Sequence, residues 1–307
     1  MNRIKQILSS KLFRLLFSVV LIYLAFKKIN LGELREGLLS VPGWFVVFMV
    51  VYSFVGVMIG AVRWAYLLLD KPNLGDFGTL IKANYIGGFY SLFLSSSVGG
   101  DVVKWLPLIK KYPHLSKARI ASTVLIDRIL GVSGLAVVAF IAVFVGRLVG
   151  VVFPDYLFWF FTALFAGLVI FYILVFTVNF EELLSKIPFS KRFLQVVDVL
   201  KNGNKKRLVL GLGISLLGQP HWIASTWFIS NIVGAGMSLA SIFVFVPVVN
   251  LILTLPISVA GFGAREQLYL LFFGQLGLAS ERILLVSTFG GIMGVLSSLL
   301  GGLLLLI

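Results

Sequence analysis

Tyr85-Ile-Gly-Gly-Phe-Tyr-Ser-Leu-Phe-Leu94, followed at once by Ser95-Ser-Ser-Val-Gly-Gly-Asp-Val-Val-Lys104, is the stretch that decides how this chain folds. The first half is apolar but broken by glycines, and at about ten residues it falls well short of the roughly 20 that a helix needs to cross a bilayer. The second half delivers two glycines, a carboxylate and an ammonium at what reads as the membrane edge. Pro256-Ile-Ser-Val-Ala-Gly-Phe-Gly-Ala-Arg-Glu266 repeats the formula: an apolar approach, Ser-Val, small residues, then opposite charges. These two segments read as the working parts of the chain.

Composition says what surrounds them. With 59% hydrophobic residues, 12% charged residues and a mean hydropathy of +1.05, the chain holds more apolar surface than a water-soluble core can bury, which makes it an integral membrane protein. Its long continuous apolar segments favour helices, since a transmembrane barrel shows short alternating strands. The absence of cysteine excludes disulfides, thiolate metal sites and a cysteine nucleophile, and two histidines leave no histidine cluster for a metal. The net charge of +14 is gathered in short loops rather than spread along a groove, so it speaks for membrane orientation and against nucleic acid.

The expected fold is an all-α polytopic membrane protein with about six or seven crossings and one or two re-entrant hairpins. Crossings are predicted at about 11–26, 43–69, 120–145, 156–178, 208–233 (interrupted at Gln219-Pro220-His221) and 282–307. The first, which ends at Lys27-Lys28 without a small-residue cleavage site, reads as a retained helix rather than a signal peptide. A turn-rich link fills 70–82, and 179–207 is polar with a weakly amphipathic middle (Phe189, Phe193, Val196, Val197, Leu200) that reads as lying on the membrane surface. Lys and Arg number four in 1–14, five in 104–119 and seven in 179–207, against three, one and two in 27–36, 146–155 and 234–282. The first set is therefore read as cytoplasmic, with the N-terminus among it.

That orientation has a consequence for the opening stretch. Residues 83–99 lie between two cytoplasmic segments and are too few to cross twice, so a re-entrant hairpin is expected there. A second hairpin, broken at Pro247, Pro256, Gly261 and Gly263, is expected within 239–274 from the opposite face. The chain then reads as one membrane domain, 1–307, whose halves 1–178 and 205–307, joined by 179–204, form a faint inverted repeat with a site near the midplane.

Charges inside membrane helices cost about 2.5 to 3.5 kcal/mol each on insertion scales, so each asks for a reason. Arg63 either snorkels to the interface beside Trp64 and Tyr66 or faces a cavity. Asp127 and Arg128 point about 100° apart on a helix and so are expected to pair with other segments, not with each other. Gly99-Gly100-Asp101 is either a helix cap and turn or, with Lys104, an anion cradle of exposed backbone N–H groups. Gly261, Gly263, Arg265 and Glu266 pose the same alternatives. Gln219, His221, Asn231 and Asn250 add polarity to the second half, with His221 read as a hydrogen-bonded structural residue.

In order and spacing, Arg63-Trp64, Gly99-Gly100-Asp101 with Lys104, Asp127-Arg128 and Gly261-Phe-Gly-Ala-Arg-Glu266 resemble the flippase-like membrane family related to the transmembrane domain of lysylphosphatidylglycerol synthase. The resemblance covers most of the chain and implies movement of a lipid with a charged or glycosylated head group between leaflets. Two departures stand out: Lys104 where the family commonly has arginine, and Asp127 where glutamate is frequent. The synthase's soluble aminoacyl transferase domain has no counterpart in these residues, so lysine transfer is not implied.

The functional expectation is a lipid flippase or transporter of the cell membrane, without catalytic residues, cofactor or metal. Its partner would be a membrane lipid with an anionic or phosphate head group, beside a homo-oligomeric or lipid-modifying enzyme partner that the residues leave open. Arg63, Lys104, Arg128 and Arg265 would contact the phosphate, while Asp101, Asp127 and Glu266 hold those cations or relay protons. Two alternatives stay open: a membrane-embedded enzyme acting on a lipid phosphate through Asp101 or Asp127, and a non-catalytic partner of a lipid-modifying enzyme. No Gly-x-x-x-x-Gly-Lys-Ser/Thr loop is present, so active transport would draw on an ion gradient.

Overall fold

The computed structural model of the chain describes residues 31–93, 97–180, 203–255 and 258–305, with isolated positions at 19, 20, 23, 24, 194, 197, 198, 200 and 201. All regular structure among them is helical: α1 (Leu31–Leu39), α2 (Gly43–Leu68), α3 (Leu74–Phe93), α4 (Ser97–Lys104), α5 (Leu106–Lys111), α6 (Lys117–Leu148), α7 (Asp155–Thr177), α8 (Lys205–Ile232), α9 (Leu239–Leu253), α10 (Ala264–Gly274) and α11 (Ser280–Leu303). Five of these, α2, α6, α7, α8 and α11, are long and apolar enough to cross a membrane. The crossing expected at 11–26 lies outside the described residues. The protein is thus a multi-pass helical membrane protein.

Apolar residues that point outward show where lipid sits. Trp159, Phe160, Ile170 and Ile173 of α7 are all exposed, a surface that only a hydrocarbon environment tolerates on this scale. Inward-facing residues build the core, in which Phe45 of α2 stacks on Phe289 of α11 with centroids 5.9 Å apart and Phe245 of α9 stacks on Phe272 of α10 at 5.4 Å.

Helix α2 is central, touching α3, α6, α8 and α11. It runs parallel to α11, since Phe45 meets Phe289 and Ser53 meets Ser297. It runs antiparallel to α8, since Tyr52 meets His221 and Arg63 meets Ser215. The hairpins that follow α2 and α8 therefore enter the bundle from opposite ends.

The first hairpin is lopsided. Helix α3 has 20 residues, about 30 Å of rise, whereas the returning α4 has 8, about 12 Å, and cannot cross. Two expectations are corrected here. The link at 70–82 is helical from Leu74, because Asn73 caps the first turn: its Oδ1 accepts from Asp76 N at 3.0 Å while Asp76 Oδ2 accepts from Asn73 N at 2.9 Å. Gly87-Gly88 does not break α3 either, because those glycines serve close helix contact. The second hairpin pairs α9, 15 residues, with α10, 11 residues, and neither limb spans the roughly 30 Å core.

Proline also breaks less than expected. Pro220 and Pro247 both sit inside continuous helices, α8 and α9, since a proline removes one hydrogen bond and the contacts of α8 with α2 and α6, and of α9 with α6, hold the rest. The surface placement expected for 179–207 fails at Val197 and Leu200, which are buried against Leu67, Ile126, Leu130 and Val175; Phe189, Phe193 and Val196 lie outside the described residues. The base of the first hairpin is tied down by Tyr112, whose hydroxyl donates to Asp76 Oδ1 at 2.6 Å. Burial, and then the carboxylate itself, push the Tyr112 pKa up.

Candidate functional site

Four helices bring a chain of alternating charges together. Arg63, five residues before the end of α2, donates from Nε to Asp127 Oδ1 of α6 at 2.6 Å and from Nη1 to Ser215 Oγ of α8 at 2.9 Å. Lys104, the last residue of α4, lies 3.7 Å from Asp127 Oδ2 and 3.3 Å from Asp101 Oδ1. Arg128 Nε reaches Asp101 Oδ2 at 2.6 Å. The order is Arg63, Asp127, Lys104, Asp101, Arg128: among the described residues, three cations around two carboxylates.

Burial is greatest in the middle of this chain, with Arg63 16% exposed at one end. The Asp127 side chain is 8% exposed and Lys104 10%, whereas Arg128 is 32% exposed and Asp101 21%. The buried middle ties three helices together, and the Arg128 end is the more exposed. Lys104 Nζ sits 4.8 Å from the centroid of the Trp64 ring, and Trp64 is itself fixed by donating from Nε1 to Thr123 Oγ1 at 3.1 Å. Among the described residues no three His, Cys, Asp or Glu gather as a metal site.

Several expectations resolve here. Arg63 does not snorkel to the interface but pairs inside the bundle. Asp127 and Arg128 diverge as the helical period requires and take different partners. Gly99 and Gly100 form no anion-binding turn; they belong to α4, where a Cβ on Gly100 would collide with Ser91 Oγ and the Gly87 carbonyl of α3. Glycine is there so that α4 can lie directly on α3, and that contact carries Asp101 and Lys104 to the charge chain. Both residues sit within the bundle, not at its edge.

Arg265 and Glu266 form a second group on the other hairpin. The turn before α10 holds Ala260, Gly261 and Gly263 at φ 51°, 79° and 79°, so both glycines do the turn work expected of them. Glu266 does not face Arg265; its Oε2 accepts from Gly263 N at 2.6 Å and caps α10. Arg265 lies over the Phe262 ring, 6.0 Å from its centroid, and against Gly291 of α11, where a Cβ would come within 2.5 Å of its Nη1. Arg265 Nη1 and Glu266 Oε1 are both buried without a hydrogen-bond partner, a costly state in a low-dielectric site.

Ser215 escaped the sequence reading. Its only signal is a four-residue spacing from Gly211, with Gly211 packing on Leu130 and Ser215 on Gly134 of α6. The bond from Trp64 to Thr123 is equally silent in sequence.

A family model described as the lysylphosphatidylglycerol synthase TM region matches residues 11–302. The chain belongs to this family. Searches of curated proteins and of solved structures returned no match. For a member of the lysylphosphatidylglycerol synthase TM-region family, the function is one concerned with membrane lipid. The residues that carried the resemblance are the same ones that the folded chain joins through α2, α4 and α6, with the Gly261 to Glu266 turn as a separate unit.

Proposed function

We propose that this protein moves a lipid with a phosphate-containing or otherwise charged head group between leaflets. The observation that carries the proposal is the alternating charge chain from Arg63 to Arg128, joined through α4, a return limb too short to cross, and most exposed at Arg128. Five ionised groups among membrane helices are expensive to insert, and packing alone would be served better by apolar residues. An anionic head group meeting Arg128 would find a charge-assisted donor, while its acyl chains stay in lipid beside apolar faces such as that of α7.

The basic ends of α6 and α8 set the leaflet geometry: Lys117 and Arg119 begin one, Lys205, Lys206 and Arg207 the other. These ends are assigned to the cytoplasm on the charge bias of the loops. The test reconstitutes the full chain in proteoliposomes and follows leaflet exposure of labelled phospholipids. Wild type should move at least one anionic lipid, and Arg128→Ala should slow it about tenfold or more, the effect of losing one charged hydrogen bond. Absence of movement for every lipid under every imposed gradient would overturn the proposal, and an altered lipid product would turn attention to an enzyme.

A further inference from the structure

Away from the charge chain, α7 and α8 both pack on α6 and leave a trough between them. It consists of two adjoining cavities of about 370 and 490 Å³, which share Tyr172, Phe176 and Leu212. The wall is almost wholly apolar, and its hydroxyls are already engaged. Ser133 Oγ and Tyr172 OH lie 3.0 Å apart and bond each other, and Thr177 Oγ1 donates to the Ile173 carbonyl at 2.8 Å. A polar guest would lose its water there and gain little in return.

Length and charge narrow the occupant further. Along α7 the wall runs from Phe165 to Thr177, about 18 Å of helical rise, close to the roughly 15 Å that one leaflet contributes to the hydrocarbon core. Lys205, the first residue of α8, lines the end where α7 finishes, with its Nζ 5.8 Å from the centroid of the Phe176 ring. Among the described residues of the wall it carries the only charge. An apolar trough one leaflet deep, with an exposed ammonium at the helix ends, complements a molecule that joins a long hydrocarbon chain to an anion.

We infer that the trough holds one acyl chain of an anionic phospholipid of the adjoining leaflet, its phosphate on Lys205, as a resident part of the folded protein and not as cargo. Charge and chain length select this lipid, whatever else its head group bears. The chain fills the space beside α7, a helix that leans chiefly on α6. This assignment is independent of the lipid-moving reading.

The test photolabels the purified full-length protein with phosphatidic acid that carries a diazirine midway along one acyl chain, and maps the label by peptide mass spectrometry. Label should fall on Val137, Leu168, Tyr172 or Leu212 of the wall. Equal labelling of Ile170 and Leu174, exposed residues of α7 at the same depth, would mean ordinary lipid contact and sink the site. Lys205→Gln should cut trough labelling about tenfold, the worth of one charged hydrogen bond, whereas Lys206→Gln, at the next exposed position, should not. Val209→Trp should cut it as strongly, since Val209 lines the trough and is 71% exposed, so the indole fills space without disturbing the core. Labelling that survives both Lys205→Gln and Val209→Trp would overturn the inference. Unlabelled dioleoyl phosphatidic acid should displace the probe, and dioleoyl phosphatidylcholine and oleate should do so far more weakly. Oleate as effective as the phospholipid would make the occupant a free fatty acid, and a single cysteine at Val209 that links to a second copy would make the trough a dimer interface; either overturns the assignment. Arg128→Ala, which tests translocation, should leave trough labelling unchanged, so each reading can fail alone.

Discussion

At the scale of single residues, the pair of Arg63 and Asp127 is where buried charge is most exacting. Their side chains are 16% and 8% exposed, so removing one strands the other in a poorly hydrated place. Asp127→Ala should destabilise the protein by about 3 kcal/mol in detergent unfolding. The double variant with Arg63→Ala should fall short of the sum of the two singles by about 1 kcal/mol or more, as expected for directly bonded neighbours. Additive losses would mean that the pair is incidental. These charges were legible in sequence, because insertion cost marks every one of them as needing a reason. Their partners were not, since a partner such as Ser215, 152 residues away, is chosen by which helix faces which. His221 shows the opposite limit: its residue type and its neighbouring proline argued for a satisfied side chain, and only three-dimensional packing reveals the nitrogen left without a bond.

At the scale of elements, glycine and proline carried most of what sequence could say and most of what it misread. The hairpins were expected from the shortness of 83–99 and the breaks in 239–274; the structure keeps limbs of 8, 15 and 11 residues that cannot cross, but begins the first hairpin at Leu74 with a 20-residue limb. Which breaks persist was not legible, because the same residue that ends a helix in water permits a close helix crossing in lipid. Gly301 illustrates the second use, since a Cβ there would run into the Tyr85 carbonyl of α3. Gly301→Leu should therefore lower stability by about 1 to 3 kcal/mol, the usual range for overpacking. Gly167 of α7, with no atom within 4 Å of its Cβ position, is the control: Gly167→Ala should leave the melting temperature unchanged or raise it slightly. Equal damage by both would show that helix contact is not what these glycines serve.

At the scale of the whole molecule, two hairpins entering from opposite ends of a bundle make a topological statement that side-directed labelling can check. The chain contains no cysteine, so single cysteines are clean reporters. Replacements at Lys110 and Lys206 should react with an impermeant maleimide only from the cytoplasmic side, and those at Val152 and Gly277 only from the opposite side. Labelling of Lys110 and Gly277 positions from one side would dismantle the arrangement. The overall class needed nothing beyond hydropathy, whereas the opposed entry of the hairpins needed the antiparallel contact of α2 with α8, which no local pattern encodes. One further consequence concerns Asp101. It rides on the hairpin while Arg128 belongs to the bundle, so under the proposed function an anion that takes the guanidinium competes with a tethered carboxylate. Its apparent affinity is then a difference between two anions competing for one fork, modest and quickly reversed. The swap would loosen one of two ties between α4 and α6, leaving Lys104 against Asp127 as the hinge, and the returning carboxylate would displace the anion again.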